Sequence, residues 1–318
     1  MKIFNAPTAV LAALGAAALF GASTPFAKQF VGDLSALLLA GLLYLGSGVG
    51  LTGLRILRDR GWRNPGLARS EWPWLLAAIV CGGVAGPTLL MLGLARMSAA
   101  SASLLLNLEG VLTAVLAWVV FKENADRRVM LGMLLIVLGG LVLSWPGAQS
   151  SVGTSWLGAA LIVGACLCWA LDNNLTRHVS NSDALFIAGT KGLVAATVNI
   201  GLAVMMGQSL PPWSVVGPVL LIGFLGYGVS LALFVVALRG LGAARTGAYF
   251  GAAPFMGAAI AIGVFHESTS PLFWGAGLLM ALGIWLHLTE RHEHLHRHST
   301  LQHSHRHFPD IHHRHDHP

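Results

Sequence analysis

The chain has 318 residues, of which 55% are hydrophobic and only 10% are charged, and its mean hydropathy is +0.70. Soluble domains carry about 25% charged residues, so this composition excludes an ordinary soluble protein and indicates a multi-pass membrane protein. The net charge of +6 comes from loops and the C-terminal tail, and we do not interpret it as nucleic-acid binding. The three cysteines lie in apolar segments and imply no disulfide framework.

Ten apolar segments follow one another along the chain. They cover residues 8–27, 34–54, 73–94, 98–120, 129–145, 155–176, 184–206, 214–238, 241–263 and 272–289. A membrane-crossing helix needs about 20 apolar residues. Because backbone groups in lipid must be satisfied within the segment, these segments are predicted to be helices. The predicted fold class is therefore an all-α membrane protein with ten transmembrane helices.

The ten segments form two halves that resemble each other at an offset of 144 residues. Ala99–Glu123 aligns with Ala243–Glu267, and both stretches end in Val-Phe-x-Glu. Five crossings is an odd number, so two such halves cross the membrane in opposite directions, as in many secondary transporters. We predict a first five-helix repeat at 1–145, a second at 146–289, and a His-rich, disordered cytoplasmic tail at 290–318.

The basic residues predict the orientation. When the loops are numbered from a cytoplasmic N-terminus, 16 of the 19 Lys and Arg residues fall on the cytoplasmic side. Lys28 and Arg96 fall outside, and Lys191 lies within a helix. The positive-inside rule then puts both termini in the cytoplasm. The first segment resembles a signal peptide, but it aligns with a counterpart in the second half, so we expect it to be retained.

These features resemble the EamA-type branch of the drug/metabolite transporter superfamily, over about residues 8–289. The resemblance rests on the doubled five-helix plan and on five sequence features, namely Val120–Glu123, Val264–Glu267, Pro254, Leu106–Gly110 in the fourth span and Cys168–Asn174 in the sixth. It implies a secondary transporter in the bacterial inner membrane that exports small metabolites or drugs. The expected partners are the lipid bilayer, a small-molecule substrate and a second copy in a homodimer.

Glu109 is the first candidate for a functional residue, because it lies near the middle of the fourth span. An ionised carboxylate at the bilayer centre costs about 2.5–3.5 kcal/mol on insertion scales, and such groups usually serve a function. Proton coupling with Glu109 as the titrating group is the simplest hypothesis. The alternative is a protonated or hydrogen-bonded packing residue.

Asp172 in the sixth span and Lys191 in the seventh are predicted to form an ion pair or to share the substrate cavity, although Lys191 can also snorkel to the interface. Asn107 and Glu109 are two residues apart and diverge by about 200° on a helix, so they cannot both face one cavity. The remaining substrate or coupling candidates, each with a packing alternative, are Asn107, Asn173, Asn174, Asn199, Trp169 and Tyr249.

Glu123 and Glu267 occupy equivalent places at helix ends. A carboxylate there can cap the N-terminus of the next helix. We expect both residues to have a structural role.

The tail is rich in histidine, with 11 in its 29 residues. Neutral imidazole binds divalent transition metals, and a solvated, pH-responsive basic tail is the alternative. The candidate metal ligands are His292, His294, His296, His298, His303, His305, His307, His312, His313, His315 and His317. A transition-metal cation transporter or a metal-responsive membrane sensor is therefore the alternative function.

Catalytic and nucleotide-binding motifs are missing from the sequence. It contains no His-Glu-x-x-His motif and no complete Gly-x-Ser-x-Gly elbow, so we expect no enzyme activity. It contains no Walker-type loop, so ATP does not drive transport within this chain. No cofactor is expected other than the metal on the tail.

Overall fold

The computed structural model describes residues 6–121, 127–145, 156–179, 182–241, 246, 249–289, 292–297 and 302–307. We number the helical segments in chain order and give their bounds here. They are α1 (Ala6–Lys28), α2 (Ala36–Asp59), α3 (Trp72–Ala78, Ile79–Ala85 and Gly86–Leu94), α4 (Ala99–Leu105 and Leu108–Phe121), α5 (Arg127–Leu143), α6 (Trp156–Thr176), α7 (Ala184–Met205), α8 (Trp213–Gly223, Phe224–Val229 and Ser230–Leu241), α9 (Ala253–Gly263) and α10 (Pro271–Leu288).

Seven of these segments, α1–α4 and α6–α8, are long and apolar enough to cross a membrane, counting only the described part of the chain. Segments α9 and α10 are shorter apolar helices. Many large apolar side chains on these helices are exposed, as expected for surfaces that face lipid rather than water. The prediction of a helical, multi-span membrane protein is confirmed at this level.

Two short strands follow the helices. β1 (His292–Arg297) pairs antiparallel with β2 (Gln302–His307), with His292 opposite His307. An isolated two-stranded hairpin is at best marginally stable in water, so disorder of the tail stays a prediction. Among the candidate metal ligands, His298, His312, His313, His315 and His317 lie outside the described residues, and the other six are described only through their backbone.

Three of the helices are irregular. Both α3 and α8 contain a π-helical stretch, at Ile79–Ala85 and Phe224–Val229. Helix α4 is interrupted between Leu105 and Leu108. Each π-helical stretch contains two glycines, and π-helical stretches in other proteins frequently lie at functional sites.

Helices from the first five segments pack against helices from the last five. Helices α2 and α7 are in backbone contact, since a Cβ built on Gly192 would lie 2.6 Å from the Cα of Gly48. Helices α5 and α10 meet in the same way, since a Cβ on Gly139 would lie 2.9 Å from the carbonyl oxygen of Ala276. Helices α4 and α9 also pack together, as do α1 with α8 and α3 with α6. Glycine therefore brings the two groups of helices into backbone contact.

A carboxylate connects the first five and the last five helical segments at one side of the bundle. Glu267, which follows α9, accepts hydrogen bonds from the backbone N–H groups of Ala99 (2.9 Å) and Ala100 (2.8 Å) and so caps α4. Glu267 therefore has a structural role, as expected, but it caps α4 rather than the next helix, α10, which the hydroxyl of Ser270 caps. Glu123 lies outside the described residues. On the same side, Lys28 donates a hydrogen bond to the carbonyl of Leu94.

A second polar cluster ties α2 to α7 at the opposite side of the bundle. Asp183 accepts a hydrogen bond from the N–H of Phe186 at 2.8 Å and thereby caps α7. Arg58 and Arg55, near the end of α2, lie 2.5 Å and 3.4 Å from the Asp183 carboxylate. The guanidinium of Arg55 also stacks over the ring of Trp62, 5.0 Å from its centroid. This cluster fixes the loop after α2 against the start of α7.

The α2–α7 crossing gives a test of this packing. We expect Gly48→Ala to destabilise the protein by about 1–3 kcal/mol, because the added methyl group would overlap the backbone of Gly192 and Leu193. Gly53→Ala, on the same helix with nothing within 4 Å of its built Cβ, is the control. Thermal unfolding in detergent should show a lower Tm for Gly48→Ala only. Equal Tm values would contradict a close-packed crossing.

Candidate functional site

Polar side chains from α4 and α6 meet in the interior of the bundle. The side-chain amide of Asn173 donates a hydrogen bond to Glu109 Oε1 at 2.9 Å and lies 3.4 Å from Thr113 Oγ1. Glu109 is half-buried, and Asn173 is exposed. Leu171 marks the lipid-facing side of α6, and Asn173 lies about 200° around the helix from it. Asn173 and Glu109 are therefore exposed to an opening between the helices rather than to lipid.

An ion pair lies beside this opening. Lys191 Nζ on α7 lies 2.5 Å and 2.7 Å from the two carboxylate oxygens of Asp172 on α6. The hydroxyl of Thr176 donates to Asp172 Oδ1 at 2.9 Å and accepts from Lys191 Nζ at 3.3 Å. Both charged side chains are mostly buried, with 10% and 17% exposure for Asp172 and Lys191. The ion pair expected from the sequence is present.

The π-helical stretch of α3 forms the wall behind the ion pair. The carbonyl oxygen of Gly82 accepts hydrogen bonds from Tyr44 Oη (2.8 Å) and Trp169 Nε1 (3.0 Å). The amide of Asn199 donates to the next carbonyl, that of Gly83, at 3.2 Å. A Cβ built on Gly82 would collide with the carboxylate of Asp172. Glycine at this position therefore lets the ion pair pack directly on the backbone of α3.

Aromatic rings continue from this wall across the bundle. The ring of Tyr44 lies 5.6 Å from that of Tyr227, which lies 5.9 Å from Phe20. Phe20 is in turn 5.3 Å from Phe250. Tyr44 and the Asp172 carboxylate both contact Gly82, so this row of rings begins at the wall behind the ion pair. All four rings are only partly buried.

The structure brings five of the predicted site residues together. These are Glu109, Asp172, Asn173, Lys191 and Trp169. Asn199 contacts the same stretch of α3, because its side-chain amide donates a hydrogen bond to the carbonyl of Gly83.

Three other predicted residues have local partners elsewhere. Asn107 donates to the carbonyl of Leu104 in its own turn at 2.9 Å, and Asn174 donates to that of Ala170 at 2.8 Å. Tyr249 packs against a small apolar cluster that contains Ala13. Asn107 and Glu109 therefore have different surroundings, as their spacing predicts.

Several residues of the site were missed by reasoning from the sequence. Thr113 lies one helical turn after Glu109, and that spacing is a usable signal. Tyr44 and Tyr227 are two of only three tyrosines in the chain, and each lies within an apolar segment. No feature of the sequence predicts that Gly82 belongs to the site, because the π-helical distortion that exposes its carbonyl is not visible in the hydropathy pattern.

The ion pair can be tested with a double-mutant cycle. Asp172→Asn or Lys191→Met alone should destabilise the protein by about 3–5 kcal/mol, because each leaves a buried charge without its partner. The double variant should be less destabilised than either single variant. Thermal stability in detergent measures the coupling, and additive losses would contradict the pairing.

Comparison with known proteins identifies the family of this chain. The EamA-like transporter family matches the chain twice, at residues 7–145 and 156–289. An uncharacterized transporter of Methanothermobacter thermautotrophicus is 27% identical over 237 residues, which cover 73% of this chain and 69% of that protein. A probable 4-amino-4-deoxy-L-arabinose-phosphoundecaprenol flippase subunit ArnE of Pseudomonas paraeruginosa is 40% identical over 114 residues, covering 34% of this chain and 95% of that protein.

A solved structure supports the same fold. A crystal structure of another protein aligns with this chain with a TM-score of 0.63 at 18% identity. The alignment covers 88% of this chain and 95% of that one. The family match extends over most of the chain, and the relatives named above are transporters or a flippase subunit. The chain therefore belongs to the EamA-like transporter family of multi-pass membrane proteins.

Proposed function

We propose that the chain is a secondary active transporter that exports small metabolites or drugs in exchange for protons bound at Glu109. The observation that carries this proposal is the interior carboxylate itself. Glu109 lies at an opening between helices, held by the amide of Asn173, while the neighbouring Asp172 is neutralised by Lys191. Intramembrane ionisable groups in such places mark substrate and proton pathways.

The proposed architecture is ten transmembrane helices in two inverted five-helix repeats. The two family matches support it, as do the π-helical stretches, which occur at 79–85 and 224–229. The backbone packing also recurs, since Gly82 packs on Asp172 and, 144 residues further along the chain, Gly226 packs on Ser23. Two halves of five helices each would have opposite orientations, with the substrate between them.

This arrangement supports alternating access as the transport mechanism. Residues 99–106 of α4 are buried, and Glu267 from the other half caps this end of the helix. Farther along α4, Gly110 is exposed, and so is Asn173 across from it. We infer that the bundle is closed at the side of Glu267 and open at the side of Thr176. Rocking of the halves would break the Glu267 cap and expose Glu109 to the other side.

Glu109→Gln tests proton coupling, because it keeps the hydrogen-bonding shape and removes the titration. We expect it to abolish proton-driven flux in proteoliposomes while leaving expression and the size-exclusion profile unchanged. Glu71→Gln is the matched control, since Glu71 is a surface carboxylate that bonds the backbone of Ala68. Full, pH-dependent flux by Glu109→Gln would refute the proposed role.

The orientation follows from the excess of basic residues in alternate loops, which favours cytoplasmic termini in the bacterial inner membrane. A reporter that is active only in the periplasm, fused after Thr289, should be silent. The same reporter placed in the loop that contains Arg96 should be active. The reverse pattern would refute the orientation.

A second candidate substrate comes from the ArnE relative, which is named as a probable flippase subunit for 4-amino-4-deoxy-L-arabinose-phosphoundecaprenol, a lipid-linked amino sugar. The 40% identity over 114 residues favours a lipid-linked sugar as cargo over a transition-metal ion. Metal binding by the histidine tail, a metal-transport or sensor role, and a homodimer remain predictions of the sequence.

A further inference from the structure

We propose that a groove between α2 and α8, on the membrane-facing surface, holds one acyl chain of an anionic phospholipid whose phosphate group binds Arg60. The site is separate from the interior carboxylates and depends only on the membrane-spanning fold. Two features carry it, namely the shape and lining of the groove and the guanidinium at its end. Its occupancy is therefore independent of proton coupling at Glu109.

The groove is apolar and open along one side. It has a volume of about 390 Å³. Val49 and Leu221 are 57% and 55% exposed, so the open side faces lipid in a membrane-spanning bundle. The lining residues offer no polar side chain, so a water molecule has no partner there and a hydrocarbon chain fits instead. These residues are Leu45, Gly46, Val49, Gly50, Leu220, Leu221 and Phe224.

Glycine shapes the groove on the α2 side. A Cβ built on Gly46 would collide with the carbonyl oxygen of Leu220, and one built on Gly50 would collide with the ring of Phe224. Helices α2 and α8 therefore run side by side in the same direction. Gly53, one turn further along α2, is exposed and has nothing within 4 Å of its built Cβ. The groove thus continues as bare helix backbone, on which a hydrocarbon chain can lie.

This face of α2 leads to Arg60. At about 100° per residue, Gly53, Leu57 and Arg60 lie within about 50° of the mean direction of the α2 residues that line the groove. Leu57 is 78% exposed and extends the apolar face. Arg60 ends the helix and lies about 16 Å from Val49 along the axis. The hydrocarbon of one leaflet is half of about 30 Å thick. A chain in the groove would therefore place its phosphate at the level of Arg60.

Arg60 provides a positive charge at the end of this face. Its side chain is exposed, and it forms no ion pair or hydrogen bond with any side chain that the structure describes. By contrast, Arg55 and Arg58 bind the carboxylates of Asp59 and Asp183. A guanidinium binds a phosphate through parallel N–H donors. Arg60 therefore favours a phospholipid whose headgroup carries no cation of its own.

The test compares phosphatidylglycerol with phosphatidylcholine of the same acyl chains, added to the full-length protein in detergent. Native mass spectrometry counts the retained lipids, and thermal unfolding measures their effect on stability. We expect one phosphatidylglycerol to be retained in preference to phosphatidylcholine and to raise the Tm, because a ligand of the folded state stabilises it. Arg60→Gln should lower the affinity for phosphatidylglycerol about fivefold, the contribution of one basic residue near a membrane surface. The affinity for phosphatidylcholine should not change.

Matched variants separate the site from general effects. Arg69→Gln removes the same charge from an exposed arginine that precedes α3 and should keep the preference. Val49→Trp should fill the groove and reduce retention of both phospholipids. Val204→Trp, at a valine of α7 that is 49% exposed, should not. Arg60→Gln changes no residue that lines the groove, so its result is decisive even if Val49→Trp folds poorly.

Three results would overturn the site or its occupant. Equal retention of the two phospholipids, or equal losses in Arg60→Gln and Arg69→Gln, would show only general attraction to a basic surface. Stronger retention of undecaprenyl phosphate than of phosphatidylglycerol would assign the groove to a lipid-linked substrate. A change from dimer to monomer in Val49→Trp would assign it to a second copy of the chain. None of these results alters the flux expected of Glu109→Gln, so failure of the lipid site and failure of the transport function are distinguishable.

Discussion

Compensation of charge in the lipid interior is the constraint on which the site depends. Asp172 and Lys191 are stable there because each neutralises the other at hydrogen-bonding distance, and because Gly82 lets the carboxylate approach the α3 backbone. Removing either partner leaves a buried charge, whereas the intact pair adds no net charge to the interior. The pair therefore isolates Glu109 as the one interior carboxylate, among the described residues, whose charge is balanced by no cation. Within the described residues, only a proton or a bound ligand would supply that balance.

The irregular helices are what bring the polar groups together. A regular helix satisfies its own carbonyl groups, so it offers few acceptors to neighbouring side chains. The π-helical stretch of α3 leaves the carbonyls of Gly82 and Gly83 to accept hydrogen bonds from Tyr44, Trp169 and Asn199. Three other helices, α2, α6 and α7, are thereby fixed to one short segment of α3. The same segment supports Asp172, so the wall and the ion pair form one unit.

The contacts between the two groups of helices differ in kind along the bundle. In the middle, glycines such as Gly48 and Gly192 allow backbone contact that has little room to change. At the end of α4, the contact is made by the carboxylate of Glu267, which can leave the N–H groups of Ala99 and Ala100 to water. A close-packed centre with a polar, exchangeable contact at its edge suits rocking about the α2–α7 crossing.

The sequence by itself determined the helical membrane fold and the family resemblance, because apolar length and charge bias are local properties that the bilayer selects directly. It also identified Glu109, Asp172 and Lys191, since charged residues in apolar segments are conspicuous. Only the tertiary structure decided their relations. Asn173 binds Glu109 across 64 residues of chain, and Glu267 caps a helix 168 residues away rather than its neighbour. Such pairings depend on how helices pack and on where a backbone departs from regular geometry, and hydropathy is insensitive to both.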